Sequence, residues 1–453
     1  MTLTVIRNAD MLVCMDDARR EIVDGAIAFR NGVIEAVGPT ADFKALIDEA
    51  EDVIDAYGCV VTPGLVNTHH HLYQTLTRAL PSTASASLFP WLKTLYPIWA
   101  RYRPEDVFAA TQLGLAELAL SGCTLTSDHL YLFPNGVTIE DTIDAAQSVG
   151  IRFHPTRGAM SVGESDGGLP PDSLVEKEPA ILKDAVRLID AFHDPAEGAM
   201  LRIGIAPCSP FSVSEGLMRD AASLARDKGV MLHTHLAEDA DDVVYSLARF
   251  GCRPGEYAER LGWTGPDVWH AHCVQLDAGE IGLFARTKTG VAHCPCSNCR
   301  LGSGIAPIRA MVAAGVPLGL GVDGSASNDS GNLLSEARQS VLMQRAVGGA
   351  GALDPREALF IATRGGAQIL GRHDCGSLEA GKRADIAVWD MFDAASLGAW
   401  DKVAGLVLAP PTSARDIFVE GRAVVRDGEL ARVRRHDVLA MARHSLNRLM
   451  STA

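Results

Sequence analysis

Histidines recur in this 453-residue chain at positions where they can act together. His69, His70 and His71 stand in a row after "VVTPGLVNT". His233 and His235 precede Glu238 in "HTHLAE", His270 and His272 form "HAHC", and Asp323 lies in "GVDGSASND". Alternate side chains of an extended backbone share a face, so His69 and His71 point one way and His70 the other. Two imidazoles about 7 Å apart along a strand end can close on one ion. A bare H-x-H is a weak motif, and a solvated turn would explain it as well. His69, His71, His235 and Asp323 together offer three imidazoles and a carboxylate. That set suits Zn²⁺, with Fe²⁺ as the alternative, and leaves room for a water. By the same alternation His233 is expected one layer below His235, and His270 one layer below His272, both structural rather than ligating.

These residues must be positioned by strands. Short apolar, β-branched runs recur through the middle of the chain: "VVTPGLVNTH", "GCTLTSDH", "IRFHPTRG", "LRIGIAPCSP", "VMLHTHLAE", "VWHAHCV", "GVAHCP" and "VPLGLGVDG". Segments with apolar residues at three-and-four spacing, such as "PEDVFAATQLGLAELALS", lie between them. Eight strands alternating with helices predict an α/β fold, a (β/α)8 barrel, whose chemistry gathers at the carboxyl ends of the strands. The histidines fall there repeatedly. Burying so many polar groups without a shared partner would be costly. The fourth run carries no lysine that could bridge two ions, so one metal is expected. Cys294, Cys296 and Cys299 in "HCPCSNCR" lack a second cysteine pair, and reduced thiols are the simpler reading.

Residues 1–60 and 378–453 share another texture, short strands and turns such as "GAIAFRNGVIEAVG" and "ARDIFVEGRAVVRDGEL". They are expected to pair into one small β domain, with 61–377 forming the barrel. Apolar residues make up 47% and charged residues 21% of the chain, as in an ordinary globular protein. A net charge of −15 argues against nucleic acid or an anionic membrane as partner. The N-terminus lacks the pattern of a secretory signal, and no run of about 18 apolar residues occurs. Ten scattered cysteines fit a reducing, cytoplasmic setting.

In order along nearly the whole chain, "PGLVNTHHH", "HTHLAE", "HAHCV", "GVAHCPCSN", "GLGVDGSASND" and "GSLEAGKRADIAVWD" resemble the amidohydrolase superfamily, in its cytosine deaminase, guanine deaminase and atrazine chlorohydrolase branch. The resemblance implies a barrel joined to a small β-sandwich built from both termini. It also implies one divalent metal and a small heterocyclic substrate. Asp323 would be weak ligand and base, Glu238 the proton donor to the ring, and His272 the group that orients the attacking oxygen. Glu238 could otherwise be a helix-start carboxylate, where acids favour the positive helix end. The wording of "NTHHHLYQTLTRALP" and "RFHPTRGAMSVGESDGGLPPD" is most similar to 8-oxoguanine deaminases. Isoxanthopterin deaminases and hydroxyatrazine-type aminohydrolases are near relatives. Nucleoside deamination and a non-enzymatic scaffold are the more distant readings. Gln74, Trp91 and Arg157 are candidate substrate contacts, and the glycine- and proline-rich residues 161–172 a candidate lid. A homo-oligomer would be consistent with exposed apolar surface on the barrel.

Overall fold

The eight apolar runs form a closed parallel barrel in the computed structural model, which describes residues 3–392 and 394–451. Its strands are Leu65–Asn67, Cys123–Leu130, Arg152–Ala159, Gly204–Pro207, Leu232–Leu236, Val268–His272, Gly290–His293 and Leu318–Leu320. Spatial order follows chain order, and the ring closes where Leu320 of the eighth strand lies opposite Asn67 of the first. Every residue of the second and third strands is buried, since helices cover the outside and side chains fill the inside. Helices start and stop where the local chemistry directs. The Thr138 N–H donates to Asp141 before helix Ile139–Val149, which Gly150 ends at φ 90°.

The first predicted run is two strands rather than one. Cys59–Pro63 belongs to the terminal sheet and Leu65–Asn67 to the barrel, with Gly64 between them. A Cβ at Gly64 would lie 2.1 Å from the Thr124 side chain, so only glycine lets the chain cross there.

Strand Cys59–Pro63 pairs antiparallel with Ile386–Asp390 and joins the two chain ends into one nine-stranded sheet. Phe29 and Phe418 sit four strands apart in that sheet, about 19 Å if it were flat. Their ring centroids are 5.5 Å apart, so the sheet folds over on itself as a sandwich. Ile27, Phe29, Val61, Ile386 and Phe418 fill its interior. The last helix, Arg435–Ser451, leaves the sandwich and packs on barrel helix Pro104–Leu120, where Arg448 pairs with the buried Asp106.

Candidate active site

The site is built from strand ends. His69 and His71 follow the first strand, and His235 is the penultimate residue of the fifth. His272 ends the sixth, and Asp323 follows the eighth. Asp323 has φ 62° and His272 φ 70°, a left-handed backbone that non-glycine residues seldom adopt. That turn swings each side chain into the barrel mouth.

His272 also corrects the expected alternation. His233 pairs with Trp269, Thr234 with His270 and His235 with Ala271, and paired neighbours share a face. His233 and Trp269 point inward, with rings stacked at 4.5 Å. His270 therefore points outward, where its Nε2–H donates to the Trp263 carbonyl and its ring stacks on Phe284. It does not lie beneath His272, because the left-handed turn at His272 breaks the two-residue period. His70 is buried against helix Pro104–Leu120, away from the cluster, and burial pushes its imidazole down to about 3.

Hydrogen bonds decide which nitrogens face each other. The Nδ1–H of His71 donates to the His129 carbonyl at 2.7 Å, and that of His235 to the Cys208 carbonyl at 2.6 Å. His69 Nδ1 meets His233 Nε2 at 2.8 Å. A carbonyl only accepts, so the Nε2 atoms of His71 and His235 carry lone pairs. Those two atoms are 3.0 Å apart. Asp323 Oδ1 lies 3.1 Å from His69 Nε2 and 3.3 Å from His71 Nε2. Burial pushes His69, His71 and His235 below the usual imidazole range, so no proton is gained to relieve the crowding. Lone pairs and a carboxylate oxygen converging this closely repel one another unless a cation lies among them. The donor set, nitrogen with one oxygen, fits a divalent metal.

Several supporting residues were not singled out from sequence. Asp323 Oδ2 accepts from the hydroxyls of Ser297 at 2.5 Å and Ser327 at 2.8 Å, which leaves Oδ1 turned to the imidazoles. Asn298 Oδ1 accepts from His272 Nδ1 at 3.0 Å and turns His272 Nε2 toward Glu238 Oε2, 3.6 Å away. His129 is the penultimate residue of the second strand, and its ring stacks on His235 at 4.9 Å. The rule that drew attention to the other strand ends applied equally to "SDH". Ser297 and Asn298 carried no such signal.

Glu238 lines the pocket, and the helix-start role falls to Asp239, whose carboxylate accepts from the N–H groups of Asp241 and Asp242. Burial first, then Asp323 and Asp239, pushes the Glu238 carboxyl well above the usual range. These groups open onto a pocket roofed by Leu88, Trp91, Leu92 and Tyr96. Gln74 also lines it, with Oε1 buried and unpartnered. A Cβ at Gly324 would fall 1.9 Å from that oxygen.

Two expected contacts lie elsewhere. Arg157 is held by Glu176 and Asp184 at 2.8 Å each, over the face of Phe133, and does not line the pocket. Two carboxylates satisfy its guanidinium before any substrate could. Residues 161–172 do not line it either. The N–H groups of Ser161 and Val162 donate to the Ser212 carbonyl, and helix Leu88–Trp99 supplies the roof. Among the described residues, the groups able to hold an ion are all in this histidine cluster, while Cys294, Cys296 and Cys299 are free thiols.

Residues 60–424 match the amidohydrolase family. The chain belongs to that family. This amidohydrolase is thus a hydrolase acting on carbon–nitrogen bonds. It is 48% identical over 398 residues to the 8-oxoguanine deaminase of Pseudomonas aeruginosa, covering 86% of this chain and 88% of that one. An isoxanthopterin deaminase from an unknown prokaryotic organism is 37% identical, with 94% and 92% covered. The crystal structure of atrazine chlorohydrolase from Arthrobacter aurescens TC1, complexed with zinc, superposes with a TM-score of 0.93 at 33% identity. It covers 98% of this amidohydrolase and 100% of that chain.

Proposed function

We propose that this amidohydrolase deaminates an aminated purine-like ring, with 8-oxoguanine the substrate of choice and urate and ammonia the products. The supporting observation is the pairing of Glu238, whose carboxyl burial pushes well above the usual range, with His272 beside the His/Asp cluster, under a largely apolar roof. The 48% identity to an 8-oxoguanine deaminase supports the choice of ring. His69, His71, His235 and Asp323 would hold one divalent ion, Zn²⁺ by preference, as in the zinc-bound relative. When bound, the ion supplies acidified water near neutral pH.

The chain's own groups do the rest. Asp323 takes the proton of the attacking water, its Oδ2 held still by Ser297 and Ser327. As oxygen bonds to carbon 2, Glu238 gives its proton to the neighbouring ring nitrogen, which would otherwise accumulate negative charge. His272, fixed by Asn298, orients the oxygen. The carbon–nitrogen bond then breaks as the added hydroxyl becomes a carbonyl: the proton taken by Asp323 leaves with ammonia, and the hydroxyl proton returns to Glu238. The unpartnered Gln74 Oε1 accepts from a ring N–H, and Trp91 walls the flat face.

The test is ammonia release by Zn²⁺-loaded protein from 8-oxoguanine, guanine, isoxanthopterin, cytosine and a hydroxylated alkylamino-triazine. Release from 8-oxoguanine with urate formed supports the proposal. Activity confined to another ring overturns the substrate while leaving the site chemistry standing. Glu238→Gln should keep the ion and lose about 10²–10⁴ in turnover. Near-normal turnover in that variant would remove Glu238 from its role.

A further inference from the structure

His69 differs from the other two imidazoles of the cluster. The Nδ1 atoms of His71 and His235 reach backbone carbonyls directly, whereas that of His69 reaches one only through a second imidazole. His233 stands between, fully buried, with Nε2 2.8 Å from His69 Nδ1 and Nδ1 2.9 Å from the Trp269 carbonyl. That carbonyl can only accept, so His233 Nδ1 bears a proton. In a neutral ring Nε2 is then a lone pair and must accept, so His69 Nδ1 must donate. The second proton position of His69, Nε2, is thereby left bare on the side of Asp323 and His71.

We infer that His233 is a positioning residue: it transmits the polarity of one backbone carbonyl through two rings and so fixes which nitrogen of His69 is free to bind the ion. Trp269 holds the arrangement from both sides. Its ring stacks on His233 at an interplanar angle of 17°, and its Nε1–H donates to the carbonyl of Thr68, the residue before His69. The same tryptophan thus sets the orientation of the relay and the height of the strand end it serves. Neither role was visible from the spacing of "HTH", which had marked His233 only as a deeper structural histidine.

This inference rests on the metal reading of the site, and the test separates the two. Zn²⁺ affinity is measured by competition with a chromophoric chelator for the unaltered chain, His233→Leu and His233→Gln, with folding followed by circular dichroism. His233→Leu removes the acceptor and should weaken Zn²⁺ binding about 10- to 100-fold. Glutamine can place an amide oxygen near the position of the imidazole Nε2, so His233→Gln should recover most of that loss. A folded His233→Leu chain that binds Zn²⁺ as tightly as the unaltered one overturns the role of His233. An unaltered chain that binds no stoichiometric Zn²⁺ overturns the metal reading instead. Should His233→Leu fail to fold, ¹⁵N spectra of histidine-labelled, metal-free unaltered protein give the same decision. A His69 ring protonated at Nδ1 upholds the relay, and one protonated at Nε2 overturns it.

Discussion

Glu238 shows how one side chain can serve two ends that conflict. Burial, with Asp323 and Asp239 nearby, pushes its carboxyl well above the usual range, which suits a proton donor and costs stability. The folded-state pKa lies above the ordinary 4.5, so the unfolded chain gives up this proton first as pH rises. The contribution to stability is full below 4.5 and lost as pH climbs toward the folded value. Glutamine has no such proton. In metal-free protein, Glu238→Gln should therefore gain on the unaltered chain by up to about 1.4 kcal/mol per pH unit above 4.5. Thermal melts at several pH values would reveal this, and a constant difference would deny a protonated Glu238. Arg157 presents the opposite case, a charge fully committed to structure. Arg157→Met leaves Glu176 without this partner and Asp184 with Arg187 alone, at a cost of about 2–3 kcal/mol, moderated because both carboxylates reach solvent. Denaturant unfolding should register that loss while KM stays unchanged. A rise in KM without loss of stability would return Arg157 to the substrate.

Among the elements, helix Leu88–Trp99 governs access. Trp91 donates its indole N–H to the Ala326 carbonyl at 3.2 Å and meets Trp99 edge-on, tying the roof to the short helix Ser325–Asn328 after Asp323. Trp91→Ala should speed amide exchange across residues 88–99 and raise KM about tenfold for a flat substrate, a loss of about 1.4 kcal/mol. Unchanged exchange would mean that the roof is held elsewhere. The strand ends carrying His69, His71, His235 and Asp323 were legible in sequence because parallel barrel strands are continuous apolar runs whose termini stand out when they end in histidine or aspartate. The orientation of His270 was not, since a single left-handed residue at His272 breaks the period that the reading assumed. The roof was legible only at Trp91, because the rest of its helix owes its position to packing by Leu92, Leu95 and Trp99 and carries no distinctive motif. Ser297 and Asn298 were hidden for a related reason. Their hydrogen bonds to Asp323 and His272 cross between neighbouring strands, and no local spacing encodes them.

At the scale of the whole molecule, the proposed ion would fasten the first, fifth and eighth strands at one point on the rim. Removing it with a chelator should lower the melting temperature, since a ligand held at 100 times its Kd contributes about 2.7 kcal/mol. A melting temperature indifferent to chelation would deny that link. No helix among the described residues is long and apolar enough to cross a membrane. The sandwich has a consequence of another kind, for the order of events at the ribosome. Strand Cys59–Pro63 finds its partner Ile386–Asp390 only after some three hundred further residues have been made. At about 5–20 residues per second that is roughly 15–60 s, during which a fully buried apolar strand has one bare edge. Shortening that wait by circular permutation, so that the two halves of the sheet emerge together, should raise the soluble yield without touching the active site.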